Sequence, residues 1–297
     1  MAKYLNLKPV EFANLSAKRQ AAVQWKGRLM LPKYDGCLAL VYIRDGKLDK
    51  IVSRDNKPVR SMDHIFADLC LRYPWVTEVP FACFLGEAWI PGRTFAELSG
   101  MFRRHSPQHA LGFAPFDFIA REKETGELYS PLSYARRLEW LTDSRPGLCA
   151  VHAPTPVECE DEAHAWRYAN YLKKLGGYDG AVVSDPDAPY VVSDGYGEFL
   201  KIKPLQSFSL EVVAVVAAVG DKTGRTTCAL MVRFKGFPCG VGTGFSNEQA
   251  ARWVAEPSLI VGTIIEVACM GVYDGGSGMM REPRFVGVRD DVIKADY

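Results

Sequence analysis

The sequence predicts an α+β protein in two parts: antiparallel sheets with flanking helices over residues 1–206, then a small β-barrel over 207–297. Three observations predict it. The chain has 297 residues, room for two domains of ordinary size. Short β-rich runs separated by Gly, Pro and Asp turn signals dominate, with a few helical stretches between them. Composition changes near Pro204, after which the chain is rich in Val, Gly and Thr.

Residues Lys8–Trp25 read as a helix, with Phe12, Leu15, Ala22 and Val23 loosely periodic. CLALVYIRDGKLDKIVSR (Cys37–Arg54) reads as a hairpin, because two β-rich runs flank Asp45-Gly46. FACFLGEAWIPG (Phe81–Gly92) is a strand ending in Pro-Gly. Helices follow at Ser133–Leu141 and Asp161–Leu175, and strands at Gly180–Asp185 and Glu198–Pro204. Beyond a boundary at Leu205–Ser207 come LEVVAVVAAV, CALMVRFKG and TIIEVACMGV, with the helical NEQAARWVAE among them. About 90 residues of short strands with one helix fit a Greek-key barrel such as an OB-fold.

The net charge of +1 gives no whole-chain field that announces a polyanion partner. A local basic face remains possible: Lys3, Lys8, Lys18, Arg19, Lys26 and Arg28 precede Lys33 against the single acid Glu11, although a solvated surface explains them equally well. The eight cysteines form no C-x-x-C pair, which argues against a zinc ribbon and for reduced thiols. MAKYLNLKP lacks the apolar core of a signal peptide, and VVAVVAAVG is too short to span a bilayer. His105 and His109 have Pro107 between them and no acid or cysteine cluster, so a metal site there is not expected. The six tryptophans read as packing residues.

Lys33-Tyr34-Asp35-Gly36 suits a nucleophilic amine: a lysine just before a strand, an acid to orient it, and a glycine that admits a ligand. Alone the signal is weak, and a surface lysine explains it. Other groups follow in order: Ser53-Arg54-Asp55, Gly86-Glu87, Phe116-Asp117-Phe118, Tyr178-Asp179-Gly180 and Lys201-Ile202-Lys203-Pro204. Each has an ordinary explanation as a solvated arginine, a core phenylalanine or an exposed strand face. Their joint order does not.

This series resembles the covalent nucleotidyltransferase superfamily of ATP-dependent DNA ligases, RNA ligases and mRNA capping enzymes. The resemblance covers nearly the whole chain. KYDG resembles the lysine motif, SRDNKPV the arginine motif, LGEAW the acidic third motif, FDF the adenine-stacking motif, YDGAVV the metal-binding motif and FLKIKP the paired-lysine motif. VGTGFSNEQAARW and REPRFVGVRDD resemble the OB domain of small viral and bacterial DNA ligases.

The resemblance implies an ATP-grasp-like nucleotidyltransferase domain at 1–206, an OB-fold domain at 207–297 and no additional DNA-binding domain. It implies a minimal ATP-dependent DNA ligase that seals 3′-OH/5′-phosphate nicks through lysyl-AMP at Lys33. An ordinary lysine, with a pKa of about 10.4, must be pushed down to attack. Lys201 and Lys203 are the candidates to crowd it and to bind the α-phosphate. By the same resemblance, Leu31 and Pro32 bind the base through their backbone, Phe116 stacks on adenine, and Glu87 takes the ribose or a metal. Asp179 holds Mg²⁺ or Mn²⁺, and Arg281 and Arg289 bind pyrophosphate. Arg54 grips the nick 5′-phosphate, while Arg103 and Arg104 hold the DNA backbone. The implied partner is nicked duplex DNA, and the implied state is a monomer, without a membrane, in a bacterial or phage-infected bacterial cytoplasm.

Five positions depart from the family pattern: Leu38 for an arginine, Leu31 for a glutamate, Leu85 for an aspartate, Asp179 for a glutamate and Val292 for a lysine. The alternatives are an RNA ligase, a GTP-dependent capping-type nucleotidyltransferase, and a non-catalytic OB-fold protein that binds nucleic acid.

Overall fold

The structure is a computed structural model that describes residues 9–121, 129–142, 150–190, 198–219, 226–272 and 279–297. Lys3, Lys8 and Cys149 lie outside them. The chain divides into two compact units, Met1–Pro204 and Leu205–Tyr297.

The first unit runs β1 (Val10–Glu11), α1 (Ala17–Ala21), β2 (Leu29–Tyr34), β3 (Cys37–Arg44), β4 (Lys47–Ser53), α2 (Ile65–Arg72), β5 (Phe81–Trp89), α3 (Phe95–Phe102), β6 (Gly112–Ile119), α4 (Tyr134–Thr142), β7 (Val157–Glu158), α5 (Glu162–Leu175), β8 (Tyr178–Ser184) and β9 (Phe199–Ile202). The strands form two sheets, ordered β1-β9-β8-β2-β7 and β4-β3-β5-β6. The β3–β4 hairpin turns on Asp45 and Gly46 at φ 48° and 68°, the paired positive φ of the tight turn read from Asp-Gly.

The helix expected over Lys8–Trp25 is a correction. Val10 and Glu11 pair in parallel with Leu200 and Lys201 of β9, a single 3-10 turn follows at Phe12–Asn14, and α1 has five residues. The sheet edge takes the backbone that the loose periodicity assigned to a helix. Phe12 is buried there, with its ring edge-on to Trp25 at 5.0 Å.

Strand alternation sorts β2. Met30 packs with Ala165, Ala169 and Leu172 of α5, while Leu31 points to the core shared with the second sheet. Lys33 therefore shares the face of Leu31. In β9, Leu200 and Ile202 pack with the α5 cluster and Phe199 with the other core, so Lys201 falls on the Phe199 face.

The second unit contains β10 (Gln206–Val219), β11 (Thr226–Phe234), β12 (Phe237–Val241), α6 (Asn247–Ala255), β13 (Ile264–Cys269) and β14 (Arg284–Val288). One antiparallel sheet runs β12-β11-β10-β13-β14 around a core of Leu210, Leu230, Val232, Trp253 and Val267. Ser246 and Gln249 form a reciprocal cap at the start of α6. Beyond β12, the Thr243 carbonyl accepts the Phe285 N–H at 2.8 Å, which ties the turn before α6 to β14. Among the described residues the sheet is not closed by a β12–β14 ladder.

Candidate functional site

Both sheets of the first unit contribute walls to a cavity of about 350 Å³. Leu31, Pro32, Lys33, Arg54, Glu87, Phe116, Lys201 and Lys203 all line it, so eight of the positions singled out from sequence meet in one place. Leu38 and Leu85, at two of the departures from the family pattern, line it as well.

Asp179 reaches this group through a strand irregularity. Lys33 pairs with Gly180 and Tyr34 with Tyr178, which leaves Asp179 as the extra residue of a bulge. The bulge depends on Gly180, whose φ is +124° and whose missing Cβ would lie 2.1 Å from the Ile202 carbonyl oxygen. Lys33 Nζ donates to Asp179 Oδ2 at 2.8 Å. Lys203 Nζ stands 3.7 Å from the same oxygen and 3.7 Å from Glu11, and Lys173 Nζ stands 3.5 Å from Asp179 Oδ1. Burial pushes the Asp179 carboxyl up, but Lys33, Lys203 and Lys173 outweigh it and hold it below the ordinary carboxylate range.

The carboxyl of Glu87 behaves in the opposite way. Its Oε2 is sealed from solvent and has no hydrogen-bond partner. Burial raises it from 4.5 to about 7, against the pull of Lys33 and Arg54. Lys201 is held below its ordinary range, first by burial and then by Lys203 and Lys33.

Phe116 is fixed from behind. Tyr134 donates its hydroxyl to the Phe116 carbonyl at 2.9 Å. The neighbouring Asp117 is buried and takes two hydrogen bonds from Arg137, at 2.7 Å from Nε and 3.1 Å from Nη2. Arg137 is fully buried and its Nη1 also donates to the carbonyls of Leu132 at 2.6 Å and Ala188 at 3.2 Å.

Four expected residues lie elsewhere. Arg103 and Arg104 are exposed just beyond α3, with Arg104 donating to Gln108 at 3.4 Å. Arg281 and Arg289 belong to the second unit. The Arg281 N–H donates to the Gly271 carbonyl at 2.8 Å. The guanidinium of Arg289 forks onto both Asp291 oxygens at 2.8 Å, with Glu266 at 3.9 Å.

Sequence reasoning missed Lys173, Tyr134, Arg137 and Tyr190. Arg137 carried a signal: with Tyr134, Leu138 and Leu141 it occupies the buried stripe of α4.

Two sheets around a lysine-bearing cavity, followed by a five-stranded antiparallel unit, are a fold shared with solved structures that include a DNA ligase. Among solved structures, Pmar-Lig_PreS3 superposes with a TM-score of 0.72 at 22% identity, over 95% of this chain and 66% of its own. A structure from a structure–function study of the Lig E DNA ligases, described as binding DNA with a minimal scaffold, superposes with a TM-score of 0.67 at 20% identity, over 96% of this chain and all of its own. In sequence, the chain is 29% identical over 192 residues to a probable DNA ligase of Kineococcus radiotolerans. That match takes in 61% of this chain and 37% of the relative, so the chain spans little more than a third of the relative's length. No protein-family model matches the chain.

Proposed function

We propose that this chain is an ATP-dependent DNA ligase that seals 3′-OH/5′-phosphate nicks in duplex DNA through lysyl-AMP at Lys33. The observation that carries the reading is the convergence of Lys33, Lys201, Lys203, Arg54, Glu87 and Phe116 on one cavity, with Asp179 bonded to Lys33 Nζ. The domains are then an adenylation domain of ATP-grasp-like type, 1–206, and an OB-fold, 207–297, a reading supported by the five-stranded antiparallel sheet of the second unit.

Lys33 Nζ attacks the α-phosphorus of ATP. The N–P bond forms, the bond to pyrophosphate breaks, and the amine gives its proton to solvent. Asp179 Oδ2 orients the nitrogen beforehand. Lys201 and Lys203 take the α-phosphate, Phe116 stacks on the base, and Glu87 Oε2 accepts from a ribose hydroxyl. The nick 5′-phosphate, held by Arg54, then attacks the adenylate and frees Lys33. The 3′-hydroxyl then attacks the phosphorus of the adenylated 5′-phosphate, gives its proton to solvent, and AMP leaves. In the second unit, Arg281 and Arg289 serve the pyrophosphate. Arg103 and Arg104 bear on the DNA backbone, where contacts position without reading sequence.

The donor set suits Mg²⁺ or Mn²⁺. Mg²⁺ is commonly held by one or two carboxylates together with substrate phosphates, and Asp179 and Glu87 supply that number. When bound, the ion would neutralise phosphate charge in the transfer step. No helix among the described residues is long and apolar enough to cross a membrane. The seven described cysteines are free thiols, in keeping with a reducing bacterial cytoplasm, where we place the protein as a monomer.

The test is the mass of the protein after incubation with ATP and Mg²⁺, mapped to a peptide. An adenylate on Lys33, absent from Lys33→Ala and discharged by nicked DNA, is expected. Labelling by GTP alone, or discharge by nicked RNA alone, would favour the capping or RNA-ligase alternative, and no adduct at all would leave only a binding protein.

A further inference from the structure

We propose that the Tyr190 hydroxyl meets the hydrogen-bonding edge of the nucleotide base, making Tyr190 the side chain that recognises the base in this cavity. The proposal rests on the nucleotide-site reading above. Tyr190 is 1% exposed, yet it lines the cavity together with Leu31, Leu85, Phe116 and Tyr134. Its hydroxyl is buried and has no hydrogen-bond partner. Most buried side-chain polar atoms in folded proteins are bonded, and one that is not calls for a reason.

Asp117 and Tyr134 in the cavity are already engaged, and Cys83 and Tyr42 beside the Tyr190 phenol lie outside its lining. The Asp117 carboxylate is bonded to Arg137, and the Tyr134 hydroxyl to the Phe116 carbonyl. Leu31 and Leu85 offer no polar side-chain atom. The cationic residues Lys33, Lys203 and Arg54 belong to the Asp179 and Glu87 side, where phosphates and ribose would lie. The hydroxyl of Tyr190 therefore remains as the polar side-chain atom for a base lying against Phe116.

The segment carrying it is held in place. Ala135 N–H donates to the Pro186 carbonyl at 2.9 Å, Arg137 donates to the Ala188 carbonyl, and Tyr190 itself bridges Ser130. Burial, and then Asp117, push the phenol up, so it stays neutral and can give one hydrogen bond and accept another.

The experiment is Tyr190→Phe, with Lys33 adduct formation measured for ATP, for purine riboside triphosphate (which lacks the 6-amino group) and for 1-deaza-ATP (which lacks N1). Removing one hydrogen bond should raise KM for ATP about tenfold, with kcat changed less than about twofold. The preference of the unaltered protein for ATP over at least one analogue should collapse in the variant, and that analogue names the base atom concerned. Without nucleotide the variant should melt no lower than the unaltered protein, because the hydroxyl it loses is unpaired. Unchanged preferences for both analogues overturn the assignment, as does a lower melting temperature with an unchanged KM, which is the pattern of a structural hydroxyl. If the unaltered protein forms no Lys33 adduct, the nucleotide-site reading fails and this assignment fails with it.

Discussion

Replacing Glu87 by glutamine probes the electrostatics of the cavity before any ligand is added. Burial raises the Glu87 carboxyl from 4.5 to about 7. The folded chain therefore keeps a proton on Glu87 over a range where the unfolded chain has lost it. The resulting stabilisation is full below pH 4.5 and is lost as pH rises through about 7. The gap between 4.5 and about 7 is worth at most about 3.4 kcal/mol. Oε2 is sealed, but the side chain as a whole keeps some solvent contact, so about 2 kcal/mol is the working figure.

Glutamine preserves the shape and removes the titration. The assay is urea unfolding of both proteins without nucleotide or metal, from about pH 5 to about pH 8.5. Taking the difference between them cancels groups common to both. That difference should move in favour of Glu87→Gln by about 2 kcal/mol across the range. A difference that stays constant with pH refutes the reasoning, because it means that Glu87 titrates alike in the folded and unfolded chain.

Two further outcomes follow from buried geometry. Arg137→Met leaves the Asp117 carboxylate buried without its ionic partner and should cost about 3–5 kcal/mol in denaturant unfolding, most of it recovered when Asp117→Asn is added. Gly180→Ala places a Cβ against the Ile202 carbonyl at a φ of +124° and should lose at least about 2 kcal/mol in the same assay, with adduct formation at Lys33 falling in parallel.

Most strands and long helices were legible because their signals are local. Asp45-Gly46 specifies a turn, and the period of Asp161–Leu175 specifies a helix whose Asp161 caps it through the His164 N–H at 2.6 Å. The start of the chain was not legible, because β1 exists only through pairing with β9, some 190 residues away. The site was legible as a set of residue types in order, and strand parity explains why Leu31, Lys33 and Lys201 face one cavity. The placement of Asp179 was not. It depends on a bulge, and a bulge is a property of two strands together. Arg137 was hidden by its own chemistry, since an arginine in a helix is read as solvated unless its position in the buried stripe is given more weight than its charge.

The cavity is arranged at a disadvantage when it stands alone. Lys33, Lys173 and Lys203 converge on one carboxylate, and Lys201 is crowded by two of them. Glu87 Oε2 and the Tyr190 hydroxyl are buried without partners. Unpaired buried polar atoms and crowded like charges are both unfavourable, and a bound ligand of the right chemistry would relieve them. A lone anion would relieve the lysines and leave Glu87 and Tyr190 as they are. A lone apolar ring would fill the space beside Phe116 and relieve none of them. A ligand that joins a phosphate to a hydroxylated sugar and a base with a polar edge satisfies all three demands at once. This chemical union, more than any single residue, is why we propose a nucleotide as the occupant of the cavity.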